Sequence, residues 1–182
     1  MSVNPEIITS RLLLRPLVLT DADAFFGYRS NAEVNKYQGW IPKTIADAHE
    51  FIKHRIAPAI DIKDTWFQFA IINKETGVLI GDVGLHFLAG DDFQAEVGCT
   101  INQYYQGKGY ATEALKECIN YLFNELDKRR VIASIDPRNI QSVKLIERLG
   151  FRKEAYFKES LLINGEWCDD VVYAILKHEW IG

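Results

Sequence analysis

The segment Gln106-Gly107-Lys108-Gly109-Tyr110-Ala111-Thr112 stands between an apolar stretch and a long amphipathic one. Glycines at such a junction let backbone approach a ligand closely, and the first amides of a following helix have no partner of their own. Those free donors, together with the positive end of the helix dipole, suit a phosphate group. The plainer alternative is a strand-to-helix turn that uses glycine for its dihedral angles alone. Two nucleotide loops fit poorly: G-x-x-x-x-G-K-[ST] fails because Gly109 follows Lys108, and G-x-G-x-x-G fails because Thr112 occupies its last position.

The elements that must hold this loop can be read from periodicity. Arg11 to Leu17 reads as a strand, Thr20 and Asp23 as the start of a helix running to about Ser30, and Thr44 with Asp47 as a second start signal ahead of the stripe Ile45, Ala48, Ile52, Ile56. Trp66 to Ile72 is aromatic and β-branched and reads as a strand, and Val78 to Phe87 and Phe93 to Ile101 read as two more. Ala111, Ala114, Leu115, Cys118, Ile119, Leu122, Phe123 and Leu126 recur at three- and four-residue steps, the strongest helical pattern in the chain. Arg130 to Ile135 reads as a buried strand and Asn139 to Leu149 as a helix stopped by Gly150. Asn164-Gly165 turns a final hairpin. The order βααβββαβαββ predicts an α/β fold, a mixed and mostly antiparallel sheet of about seven strands with about four helices on its faces.

The chain has 182 residues and a formal net charge of −4, which fits one domain over 1–182 and argues against a protein that wraps nucleic acid. No apolar run reaches the roughly 18 residues of a membrane span, and the stretch from Met1 to Leu17 does not read as a secretory signal. Cys99, Cys118 and Cys168 are odd in number and widely spaced, so a reduced, cytoplasmic setting without a metal site is expected.

Gln106-x-x-Gly109-x-Ala111, followed by Asn139-x-x-Ser142 and Leu149-Gly150-Phe151, resembles the paired acetyl-coenzyme A motifs of the GCN5-related N-acetyltransferases. TSRLLLRPL at the start, Glu96-Val97-Gly98-Cys99, GKGYATEAL and DPRNIQSVKLIERLGF are similar to the subgroup that acetylates the N-termini of ribosomal proteins. The resemblance implies a splayed parallel strand pair whose gap takes the pantetheine arm, with the backbone of Cys99 and Ile101 along it. It implies that Gln106, Gly107, Lys108, Gly109, Tyr110, Ala111 and Thr112 form the pyrophosphate loop, with Asn139 and Ser142 on the pantetheine side. The acceptor is then a protein N-terminal amine, or alternatively a polyamine, amino sugar or other small amine. A third reading is a non-catalytic acyl-coenzyme A sensor, and a homodimer is left open.

The implied chemistry is attack of an amine on a thioester, which needs a proton acceptor and help for the leaving thiolate. Glu96 is the first candidate base, acting through water, because alternation puts Glu96, Gly98 and Thr100 on one face and an apolar setting raises a carboxyl pKa; a solvated glutamate is the alternative. His86 is a competing base or a scaffold residue. Ser142 is the candidate donor to the coenzyme sulfur, since Ile146 stands where many members have a tyrosine acid. Lys128, Arg129 and Arg130 read as a solvated face or an aid to the nucleotide phosphates. Tyr28, Tyr37, Trp40 and the segment 38–43 would line the acceptor cleft or pack in the core. Asp169 and Asp170, with Trp167, would attract a cationic amine or form an acidic turn.

Overall fold

Three consecutive stretches rich in apolar residues pair through short turns and form the middle of an eight-stranded sheet. The computed structural model describes residues 4–182; Met1–Val3, the first part of the stretch read for a signal segment, lie outside the described residues. The elements run β1 (Ile7–Ile8), β2 (Leu12–Pro16), α1 (Ala22–Arg29), α2 (Ala32–Asn35), α3 (Ile45–His54), β3 (Thr65–Asn73), β4 (Leu79–Phe87), β5 (Gln94–Ile101), α4 (Tyr110–Asn124), β6 (Arg130–Ile135), α5 (Ile140–Arg148), β7 (Arg152–Ile163) and β8 (Glu166–Leu176). Their spatial order is β1-β2-β3-β4-β5-β6-β8-β7. Every pairing is antiparallel except β5 with β6, which α4 joins as a crossover.

The mixed, mostly antiparallel α/β fold is the one the sequence predicts, with one strand and one helix more. Both additions are too short to show a period: β1 has two residues, and α2 is a four-residue turn whose start is set by Asn31 Oδ1 accepting from the amides of Glu33 and Val34. Thr44 caps α3 as expected, and Asn164 and Gly165 turn the hairpin with φ of 51° and 86°. Thr20 does not cap α1. Asp21 holds the N-cap position of α1 without a side-chain cap; its carboxylate instead accepts from the Val18 amide and pairs with Arg15, which closes a short 3-10 turn ahead of the helix.

One face of α4 (Ala114, Leu115, Cys118, Ile119, Leu122, Phe123) is buried on one side of the sheet against Leu85, Val97 and Val131. The other side is covered over β2 to β4 by α1 and α3, where Phe25, Trp40 and Phe51 stack with Trp40 and Phe51 ring centroids 4.6 Å apart. A buried carboxylate pins α1 down: Asp82 on β4 pairs with Arg29, accepts from Tyr28 Oη at 2.6 Å, and also accepts from Gln68 Nε2. Tyr28 is thereby a core residue. Removing one partner of such a pair leaves a buried charge uncompensated. Asp82→Ala is therefore expected to lower the unfolding free energy by about 3–5 kcal/mol in urea titrations, while exposed Glu75→Ala changes it little.

Candidate active site

β5 and β6 start as partners and then separate. Their register covers only Gln94↔Arg130, Ala95↔Val131 and Glu96↔Ile132, although β5 continues to Ile101 and β6 to Ile135. The Asn102 amide donates to Ile80 O at 2.8 Å, so alternation along the antiparallel ladder gives the backbone groups of Thr100, Gly98 and Glu96 to β4. Those of Cys99 and Ile101 point into the gap. The Ile101 carbonyl accepts from Gln106 Nε2 at 2.8 Å. The Cys99 amide and carbonyl and the Ile101 amide have no ladder partner among the described residues.

At the open end of this gap sits the glycine loop. Gly107 and Gly109 adopt φ of 74° and 81°, the left-handed region that glycine enters without penalty. Gly109 starts α4 with no side chain to cap it. The six amides from Gly107 to Thr112 find no acceptor among the described residues. Six exposed or half-exposed donors at a helix N-terminus form a rim suited to a diphosphate.

The rim is held from behind by a residue cluster that sequence reasoning missed. Glu113 accepts hydrogen bonds from Thr9 Oγ1 (2.5 Å), Ser10 Oγ (3.0 Å), the Arg11 amide (2.9 Å) and Arg11 Nε (2.6 Å). Arg11 also donates to Lys108 O at 2.9 Å and lies over the Tyr110 ring. Burial alone would raise the Glu113 pKa, but these donors outweigh it and hold it down to about 2.

A cleft of about 770 Å³ joins the rim to the strand gap. Of the residues expected to bind the cofactor, Cys99, Ile101, Gln106, Gly107, Gly109, Tyr110, Ala111, Thr112, Asn139 and Ser142 all line it. Lys108 does not. Its ammonium turns back to Tyr104 O at 3.1 Å and over the Tyr105 ring, so its charge serves the preceding turn. Asn139 caps α5 by accepting from the Ser142 amide, and the Ser142 hydroxyl makes no hydrogen bond among the described residues. Ile146 is buried in the core. Among the other lining residues, Arg148, which the sequence reading did not single out, donates from its guanidinium to Thr112 Oγ1, and Tyr37, expected at the acceptor cleft, donates from its hydroxyl to Arg138 O beside Asn139.

Glu96 lies outside this lining. It shares a sheet face with Thr100, about 13 Å further down the strand, with exposed Gly98 between them. Burial raises its pKa, opposed by a hydrogen bond and charge from His86 and assisted by Asp170. Trp40 packs in the core with Phe51, whereas Tyr37 and Gln38 reach the cleft. Asp169 is occupied by Tyr156 Oη and the Glu159 amide, and Asp170 by Ser134 Oγ at 2.7 Å. The basic run does not sit beside the glycine loop: Arg130 opens β6 at the end of the sheet opposite that loop. Lys128 is buried against Asp61, Arg129 pairs with Asp91, and Arg130 pairs with Glu154.

A family profile described as the acetyltransferase (GNAT) domain matches residues 11–152. A GNAT-family acetyltransferase from Bacillus anthracis superposes with a TM-score of 0.86 at 32% identity, covering 96% of this chain and all of that one. The ribosomal protein uS5-alanine N-acetyltransferase of Escherichia coli is 36% identical over 115 residues, 63% of this chain and 59% of its own length. A spermidine N-acetyltransferase from Vibrio cholerae, solved with CoA and spermine, gives a TM-score of 0.80 at 25% identity over 96% of this chain and all of that one. The chain belongs to the GNAT family and is an N-acetyltransferase. Among the described residues no helix is long and apolar enough to cross a membrane.

The Glu113 clasp has a pH signature. Its folded pKa of about 2 lies below the unfolded carboxyl value. Its stabilisation is therefore complete above about pH 4.5 and is lost as pH falls toward 2. In acid titrations of stability, Glu113→Gln is expected to flatten the slope across that window. An unchanged slope would contradict the clasp.

Proposed function

We propose that the chain acetylates the N-terminal amine of a protein, with acetyl-coenzyme A lying in the cleft between β5 and β6. The observation that supports this most is a match of two unmet needs among the described residues: six amides at the mouth of α4 without an acceptor, and the Cys99 amide and carbonyl with the Ile101 amide unpaired along the strand gap. The first suits a diphosphate and the second an amide-bearing pantetheine arm. When bound, acetyl-coenzyme A supplies an activated acyl group as a thioester.

The amides of Gly107 to Thr112 hold the diphosphate, with Arg148 adding positive charge from α5. Fixing both ends of the donor aims its thioester along the gap, and orientation of this kind supplies much of the rate. Glu96 accepts the ammonium proton through water. The free hydroxyl of Ser142 donates to the departing sulfur, and Asn139 fixes that serine by capping its helix.

An α-amino group has a pKa near 8, so part of it is neutral at the pH of the cytoplasm, where this reading places the enzyme. Gly98 is the open floor of the acceptor side: a Cβ built there meets nothing within 4 Å, and an emerging polypeptide needs such an unroofed path. The likeness to the uS5-alanine enzyme supports this acceptor. The likeness to the spermidine enzyme, with Glu33 in the cleft lining, favours a small polyamine as the second reading.

Mass spectrometry of N-terminal peptides and small amines incubated with acetyl-coenzyme A separates these readings. Turnover of peptides is expected; turnover of small amines alone would remove the protein acceptor. Tight coenzyme binding with no product from any amine would mean a sensor. Ser142→Ala is expected to lower kcat about tenfold while the Kd for coenzyme A stays within about twofold. Thr112→Glu puts a carboxylate in the first turn of α4, which favours the helix but repels an anion. Calorimetry should show the coenzyme A Kd rising more than about tenfold with Tm held or raised.

A further inference from the structure

Trp66, His86 and Glu96 form a line across three neighbouring strands. Trp66 stands opposite His86 in the β3–β4 register, and His86 stands opposite Glu96 in the β4–β5 register, so all three side chains share one sheet face. The imidazole lies nearly parallel to the indole, with ring centroids 4.7 Å apart and 7° between planes. Its Nδ1 is 3.3 Å from Glu96 Oε2. The indole is fixed in turn, because it covers Gly84: a Cβ built there would lie 3.0 Å from two indole carbons and from Gln68 Oε1. A glycine thus makes room for the tryptophan, the tryptophan walls the imidazole, and the imidazole meets one oxygen of the carboxylate.

We propose that His86 is the positioning residue of Glu96, donating from Nδ1 to Oε2 so that Oε1 stays free toward the acceptor amine, with Trp66 holding the imidazole plane. The inference rests on the reading of Glu96 as the base. His86 itself never touches the amine: the proton leaves the ammonium through water for the Glu96 carboxylate, and the nitrogen lone pair becomes free for attack.

The need for a partner follows from what else faces Glu96. Its side chain is about one-fifth exposed. From β8 the Asp170 carboxylate, held by Ser134 Oγ of β6, disfavours the ionised form, as burial does. His86 from β4 is the group that opposes them. Losing the imidazole would free the carboxylate to turn and would leave burial and Asp170 unopposed. The acid limb of the rate profile, which reports the base losing its proton, would then move to higher pH.

The experiment is a double-mutant cycle of Glu96→Gln and His86→Leu, reading kcat/KM against pH for the amine that turns over best in the library, and Kd for coenzyme A. His86→Leu is expected to lower kcat/KM for the amine about tenfold, to move the acid limb upward, and to leave the coenzyme A Kd within about twofold. The double variant should match Glu96→Gln alone. His86→Asn, which offers an amide donor near the Nδ1 position, should recover most of the rate. The chain has four histidines, so ¹⁵N-histidine spectra give a second reading: the His86 signal, assigned by its loss in His86→Leu, should show a protonated Nδ1 that changes in Glu96→Gln. If Glu96→Gln keeps full activity, the base reading itself fails. If Glu96→Gln is impaired but His86→Leu is not, or if the two losses multiply in the double variant, Glu96 remains the base and the positioning role is overturned.

Discussion

A β-strand inside a sheet must satisfy backbone donors and acceptors on both edges, and β5 meets that demand on one edge only. β4 pairs with it from Ala95 to Ile101, while β6 follows it for three register pairs and then leaves. Unpaired backbone away from bulk water is costly. The gap therefore persists only because the rest of the molecule holds its two sides apart, and it is relieved by a ligand that offers amides of its own. The crossover through α4 adds the second half of the site, since a parallel neighbour requires a helix between strands and that helix begins where the strands diverge.

Each side of the gap has its own anchor. On the α4 side the N-terminal segment bonds to Glu113 and, through Arg11, to the carbonyl of Lys108, so the glycine rim is attached to the edge of the sheet as well as to its own helix. On the α5 side Asn139 caps the helix and Tyr37 reaches across to the carbonyl of Arg138. Independently of these contacts, the Asp82 carboxylate fixes α1 to β4 on the sheet face that Gly98 shares.

What the sequence made legible was local. The glycine loop, the stripe of α4, the Thr44 cap, the Asn164-Gly165 turn and the α5 cap at Asn139 are signals whose partners lie within a few residues, and each is found where its pattern predicts. The misses are long-range or very short. Nothing in Arg11 announces a glutamate 102 positions away, and nothing in the basic run 128–130 says that parallel pairing carries it to the end of the sheet opposite the glycine loop. Thr20 matched a capping pattern, but Asp21 could reach Arg15 and the Val18 amide together and so took the position. The parting of β5 from β6 has no local signal and entered only through family resemblance.

The claim on which all of this depends is that unpaired backbone, more than any side chain, grips the donor. Residue-resolved amide hydrogen exchange with and without coenzyme A tests it most directly. Saturating coenzyme should slow exchange at Cys99, Ile101 and the run from Gly107 to Thr112, with little change at Thr100 and Gly98, whose amides already serve β4. Unchanged exchange at Cys99 and Ile101 in a fully bound protein would contradict the account.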